Sequence, residues 1–125
     1  MTWNIEFYRK IDGDCPIEEW LNQLNDKHAA KVLRSVQLLN EYGPGLGMPH
    51  VENIVDQIRC LRVKQGSAIF RILFFTFTDR KLILLNGFTK KTPKTPPREI
   101  ERAIRYRDDF IMQQAKVKDG GEGDE

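Results

Sequence analysis

Basic side chains that could bind phosphate are concentrated in one part of this chain. Residues 54–98 carry ten basic and two acidic side chains, a net charge of +8 in a chain whose total is +2. Arginine presents a planar fork of N–H donors to phosphate oxygens, whereas lysine acts as a point charge. The block therefore predicts a surface that attracts a polyanion on one side of the molecule. Its candidate positions are Arg59, Arg62, Lys64, Arg71, Lys90, Lys91, Lys94 and Arg98.

Arg62 and Arg71 stand out because they lie inside apolar, strand-like runs, where an apolar side chain is the default. Such an arginine can instead be salt-bridged or face solvent, and a lysine-rich loop can serve solubility alone. Coincidence in one cationic block favours a shared role in binding phosphate.

Groups that could move a proton are fewer. His50 could act as a base, but it also fits a loop histidine on the surface. Tyr106 could offer a hydroxyl or stack on a base, although its spacing from Ala103 and Phe110 fits packing. A lysine with a lowered pKa among crowded cations is a third alternative.

Metal and cofactor chemistry find no support in the sequence. His28 and His50 are isolated from other metal-ligating residues, and the chain has no glycine-rich phosphate loop. Cys15 and Cys60 lack the CxxC spacing and are expected to be free thiols, with Cys60 acting as a small apolar residue inside a strand.

The elements that position these residues follow from apolar periodicity. Alternation at Trp3, Ile5 and Phe7 predicts a first strand, and helical spacing predicts helices over residues 16–24 and 27–42. The second helix carries an apolar stripe of Ala29, Val32, Leu33, Val36 and Leu39. Asn25 can cap this helix.

A breaker-rich connection over residues 44–53 leads to strands at 58–63, 68–77 and from Leu82 onward. Tight connections between them predict an antiparallel meander of three strands, with the middle one most buried. Thr95 can serve as N-cap of a last helix over residues 96–114. The order predicts an α+β fold.

The length fits one domain, residues 1–115, and an acidic tail over 116–125 that we expect to be disordered. No run reaches the roughly 18 apolar residues that span a bilayer. We therefore expect a cytoplasmic protein with no membrane partner.

Three motifs in order carry a family resemblance: Ile58–Val63 with its Leu-Arg pair, Phe70-Arg71-Ile72, and the long run from Leu84 to Pro96 that reads LLNGFTKKTPKTP. Together they resemble the RelE/ParE toxin superfamily, and most of all its phage-derived HigB-like branch. The resemblance extends from about Trp3 to Gln114. The third motif is long and specific, whereas the first two are short.

This resemblance implies a RelE-like fold, in which an N-terminal strand and a two-helix hairpin pack on a mainly antiparallel sheet with a C-terminal helix. It also implies a type II toxin that needs no metal or cofactor, cuts mRNA on the ribosome and is held inactive by a HigA-like helix-turn-helix antitoxin. By resemblance, Arg62, Arg71, Lys90 and Lys91 would be catalytic. Arg59, Lys64, Lys94 and Arg98 would bind RNA, and His50 or Tyr106 would transfer protons.

One departure bears on activity: the HigB-like branch often has Glu where this chain has Cys60. A catalytically inactive relative that binds RNA therefore stays open as an alternative. Because the same fold supports both activities, a ParE-like toxin that inhibits gyrase stays open as well.

Overall fold

The computed structural model describes residues 3–46, 50–78, 80–90 and 95–123, with residues 46, 90 and 118–123 described by backbone alone. The architecture is α+β, as predicted. Its elements are β1 (Asn4–Phe7), α1 (Pro16–Asn22), α2 (Asp26–Tyr42), a 3₁₀ turn (Gly43–Leu46), β2 (Val51–Val55), β3 (Ile58–Gln65), β4 (Ala68–Phe77), β5 (Lys81–Lys90) and α3 (Pro97–Gly123).

The five strands form one sheet in the order β1-β5-β4-β3-β2. Strands β2 to β5 are an antiparallel meander, and β1 adds to β5 in parallel. Central β4 is buried continuously from Phe70 to Phe75, as the sequence predicts for the middle strand. A strand with both faces covered favours such a run, which is apolar except at Arg71.

Strand β2 was not predicted, because residues 44–53 resemble a connection. The structure instead places Val51–Val55 in the sheet, so the meander has four strands rather than three. A turn at Asp56 and Gln57 joins β2 to β3, and both residues have positive φ angles, 50° and 67°. Hairpin turns of this kind are usually recognised by an Asn-Gly or Asp-Gly pair, which is missing here. Arg107 of α3 donates to the Asp56 carbonyl at 2.6 Å.

Helices cover both faces of the sheet. α1 and α2 pack Trp20, Val32 and Leu39 on one face, and α3 packs Ala103 and Phe110 on the other. The predicted stripe of α2 is wrong at Leu33, which is 48% exposed. The helix packs on the sheet through Val32, Val36 and Leu39, which are spaced i, i+4 and i+7. Leu33 follows Val32 directly and therefore projects about 100° around the helix from it.

The structure confirms the predicted cap of α2 and changes both ends of α3. The Asn25 side chain accepts from the His28 N–H at 2.8 Å, which confirms the predicted cap of α2. At the start of α3, the Pro96 carbonyl accepts from Glu99 and Ile100, so the helix begins at Pro97 and Thr95 is not its cap. α3 extends to Gly123 rather than ending at residue 114, and residues 115–119 include no glycine or proline that would end it.

A substitution at Gly87 of β5 would show how tightly α1 packs on the sheet. A Cβ at this position would overlap the Trp20 indole, whereas a Cβ at Gly45 would meet nothing within 4 Å. We expect Gly87→Ala to lower the free energy of unfolding by about 1–3 kcal/mol through overpacking. Gly45→Ala should change it by less than about 0.5 kcal/mol. Chemical denaturation of both variants measures this, and equal stabilities would contradict the packing described here.

Candidate functional site

The register of three strands brings distant basic residues together. Arg62 of β3 lies directly opposite Arg71 of β4. Two residues further along β3, Lys64 lies opposite Ile69 of β4. On the other side of β4, Ile69 lies opposite Lys90 of β5. Directly opposed residues of an antiparallel pair project to the same face. We call the group formed by Arg62, Lys64, Arg71 and the backbone position of Lys90 the basic end of the sheet.

This group lies on the face that α3 covers. Cys60 and Leu73 are a cross-strand pair in the core beneath α3, and Arg62 and Arg71 lie two residues from them on the same strands. Because strand side chains alternate with a period of two, the arginines share that face. Arg59 has the opposite parity, projects to the other face and donates to the Asn53 side chain at 2.9 Å. The structure therefore does not bring Arg59 together with the basic end.

Arg71 is almost completely buried, with 2% of its surface exposed. Its Nη1 donates to Glu52 Oε1 at 2.6 Å and lies 3.9 Å from the Cys60 sulfur. The side chain thus extends from β4 over β3 to β2. In this conformation Arg71 is held by protein groups and offers almost no surface to a ligand.

Arg62, in contrast, is partly exposed. Its Nε is buried and has no hydrogen-bond partner among the described residues. Because this atom is buried, an anion would meet the exposed part of the side chain, which forms no salt bridge among the described residues. Of the two strand arginines, Arg62 is the one the geometry presents to a phosphate.

A cleft of about 230 Å³ lies at the free end of β3, between this strand and α2 on the other side of the sheet from α3, and Arg62 is among its lining residues. His50, Lys64 and Lys31 of α2 also line it, and no carboxylate is among its described lining residues. The Arg62 backbone N–H donates to the His50 carbonyl at 2.7 Å, which fixes the exposed histidine beside the arginine. The structure thus brings His50 into the site.

Tyr106 lies elsewhere. Its ring stacks on Tyr8 with centroids 4.8 Å apart, close to the β1 edge of the sheet. The Tyr8 hydroxyl donates to Asp109 at 2.5 Å, and burial together with this carboxylate raises the pKa of Tyr8. Three strand spacings, about 14 Å, separate the β1 edge from β3. A packing role therefore fits Tyr106 better than proton transfer beside Arg62.

Of the remaining predicted residues, only Arg98, at the start of α3, has a described side chain. Arg98 is exposed in its first turn, and Asn86 of β5 donates to the Glu99 carboxylate at 3.0 Å. This bond ties the helix start to the strand. Lys91 and Lys94 lie outside the described residues, and only the backbone of Lys90 is described.

Cys60 is fully buried, and desolvation raises the pKa of its thiol to about 11. The nearby Arg71 acts in the opposite direction but does not outweigh burial. At neutral pH the thiol is therefore protonated and is neither a nucleophile nor a counter-charge for Arg71.

Glu52 is the residue that the sequence did not reveal. It lies directly opposite Cys60 in the β2–β3 pairing, and its side chain is 29% exposed. A weak sequence signal was present, since three of the five residues of Val51–Val55 are β-branched. Strand β2 therefore carries a carboxylate beside the position where the HigB-like resemblance leads one to expect Glu.

Among the residues that the structure describes, no group of three or more metal-ligating side chains occurs. None of the described helices has both the length and the apolar character to cross a membrane.

Comparison with known families places the basic end inside a matched region. Residues 19–108 match the model of the family described as phage derived protein Gp49-like. The match runs from α1 into α3 and includes Glu52, Cys60, Arg62 and Arg71. No curated protein matches the chain significantly.

The buried Cys60 thiol has a measurable consequence at alkaline pH. Its pKa is raised in the fold from 9.0 to about 11, so the unfolded chain releases this proton first as pH rises. The stability that the thiol contributes is present below pH 9 and is lost as pH rises to about 11. Relative to Cys60→Ala, the wild type should lose up to roughly 3 kcal/mol of unfolding free energy across that window. Parallel denaturation curves at pH 8 and 10.5 measure the difference, and a constant gap would contradict the assignment.

Proposed function

The chain belongs to the Gp49-like family of phage-derived proteins, a family of RelE-like toxins of type II toxin–antitoxin systems, and on this premise we propose that it cuts mRNA on the ribosome. The proposal includes a HigA-like antitoxin that covers the basic end. Its main support is the alignment of Arg62, Arg71 and the Lys64–Lys90 row on one face.

The chemistry needs no metal. The ribose 2′-hydroxyl attacks the adjacent phosphorus, the bond to the 5′-oxygen breaks, and the products are a 2′,3′-cyclic phosphate and a 5′-hydroxyl end. A base must accept the 2′ proton, an acid must protonate the leaving oxygen, and cations must stabilise the added charge on phosphorus. Arg62 suits the last task because its side chain is partly exposed and lies opposite a second arginine on the same face.

His50 suits proton transfer better than Tyr106 does. Its imidazole is exposed and lines the same cleft as Arg62, whereas Tyr106 is stacked on Tyr8. A general base must come within hydrogen-bond reach of the proton it accepts. Lys64 and Arg98 are then placed to hold the flanking RNA backbone, which positions the message without reading its sequence.

Induced expression in bacteria tests the function together with its central residue. The wild type should stop incorporation of labelled amino acids and leave cleaved transcripts. Arg62→Ala should reduce the cleavage rate by about 100-fold or more, the usual cost of removing one donor that stabilises transition-state charge. Its thermal unfolding should stay close to that of the wild type, because the side chain is partly exposed.

Two controls separate chemistry from folding. Arg105→Ala removes an exposed arginine of α3 outside the basic end and should retain toxicity. Phe74→Ala, at a fully buried core position, should lose toxicity by losing roughly 3–5 kcal/mol of stability. Arrested cells with intact transcripts would overturn the proposal, and a DNA-damage response in them would point to gyrase inhibition. RNA binding without cleavage would point to an inactive relative.

The two proton-transfer candidates are separated by a pair of small substitutions. His50→Gln keeps a polar side chain but cannot accept a proton, and we expect a 10²- to 10⁴-fold slower cleavage. Tyr106→Phe keeps the ring stacked on Tyr8 and should cleave at the wild-type rate. Single-turnover cleavage on ribosome-bound mRNA measures both, and the reverse ranking would assign the proton transfer to Tyr106.

A further inference from the structure

Glu52, Cys60 and Arg71 form one continuous arrangement across three strands. Glu52 of β2 is opposite Cys60 of β3, and Arg71 of β4 reaches over Cys60 to the Glu52 carboxylate. The next position on β3, on the same face, is Arg62. Glu52 thus contacts Arg71, which lies opposite Arg62. Glu52 itself lies on β2, the strand next to β3, whose end lines the cleft.

The charges explain why a carboxylate is needed there. Arg62 and Arg71 are directly opposed cations, and like charges at such positions repel. Arg71 is also removed from water, where an ionised side chain needs a counter-charge with good hydrogen-bond geometry. The 2.6 Å contact between Arg71 Nη1 and Glu52 Oε1 provides it.

Cys60 makes this arrangement possible because it is small and uncharged. Its sulfur lies 3.9 Å from Arg71 Nη1, so the guanidinium passes directly over it. A carboxylate at position 60 would also come within reach of Arg71, from β3 instead of β2. Arg71 requires a negative charge next to its guanidinium, whichever strand supplies it.

We propose that Glu52 is the positioning residue of the site: it fixes and neutralises Arg71, so that Arg62 alone presents its charge to the scissile phosphate. This inference rests on the proposed function. Glu52 acts through Arg71 and takes no proton from RNA. The carboxylate that the HigB-like resemblance leads one to expect on β3 is supplied here from the neighbouring strand.

Moving the carboxylate tests this directly. Glu52→Gln should lower kcat for ribosome-dependent mRNA cleavage more than tenfold without raising KM, because the variant carries more positive charge and still binds RNA. The double variant Glu52→Gln/Cys60→Glu restores a carboxylate beside Arg71 and should return kcat to within about threefold of the wild type. Glu101→Gln, an exposed carboxylate of α3, should change neither parameter.

A second comparison separates positioning from direct chemistry. In an Arg71→Met background, Glu52→Gln should cause no further loss of kcat, since its partner is already gone. An additional tenfold loss would show that Glu52 itself takes part in the reaction and would overturn the inference. The Arg71 side-chain N–H signals in NMR provide a readout besides activity: exchange should be slow in the wild type, faster in Glu52→Gln and slow again in the double variant.

These outcomes separate a failure of the proposed function from a failure of the inference about Glu52. A wild type that cleaves no mRNA overturns the proposed function. A wild type that cleaves while Glu52→Gln keeps its full kcat overturns the inference alone. If Glu52→Gln does not fold, the double variant decides: folded and active supports the inference, and folded but inactive contradicts it.

Discussion

Two arginines face each other across β3 and β4, and the ion pair between Arg71 and Glu52 makes that arrangement tolerable. Breaking a buried pair on one side typically costs about 3–5 kcal/mol, because the remaining charge stays buried. The pair also joins β2 to β4 across β3. Stability and the electrostatics of the candidate site therefore depend on the same contact.

Other features of the fold serve to keep this sheet end accessible and in register. Central β4 aligns its neighbours through a continuously buried run that is apolar except at Arg71, and the Asn86 bond to Glu99 ties the start of α3 to β5. Arg107 holds the β2–β3 turn from the same helix. A cationic cleft thus lies beside strands that are rigidly supported from both faces, which is what preorganised charge stabilisation requires.

The sequence predicts the α+β class, the three main strands and the strand positions of Arg62 and Arg71, because long apolar runs and their breakers are strong local signals. It does not reveal β2, since the Asp56-Gln57 turn lacks glycine. Without β2, Glu52 cannot be recognised as the partner of Arg71. Nor does the sequence show which arginine is buried, because Arg62 and Arg71 both lie in apolar strand-like runs. Only the strand register shows that Arg71 contacts a carboxylate and that Arg62 lines a cleft.

The central claim is that the basic end cleaves RNA on the ribosome, and mapping transcript ends tests it most directly. Purified protein would be added to a reconstituted translation reaction, and the 5′ ends of the mRNA would be sequenced with and without ribosomes. The account predicts new 5′-hydroxyl ends within the translated region that appear only when ribosomes are present. Intact mRNA in translating reactions, or identical cleavage of free mRNA, would contradict it.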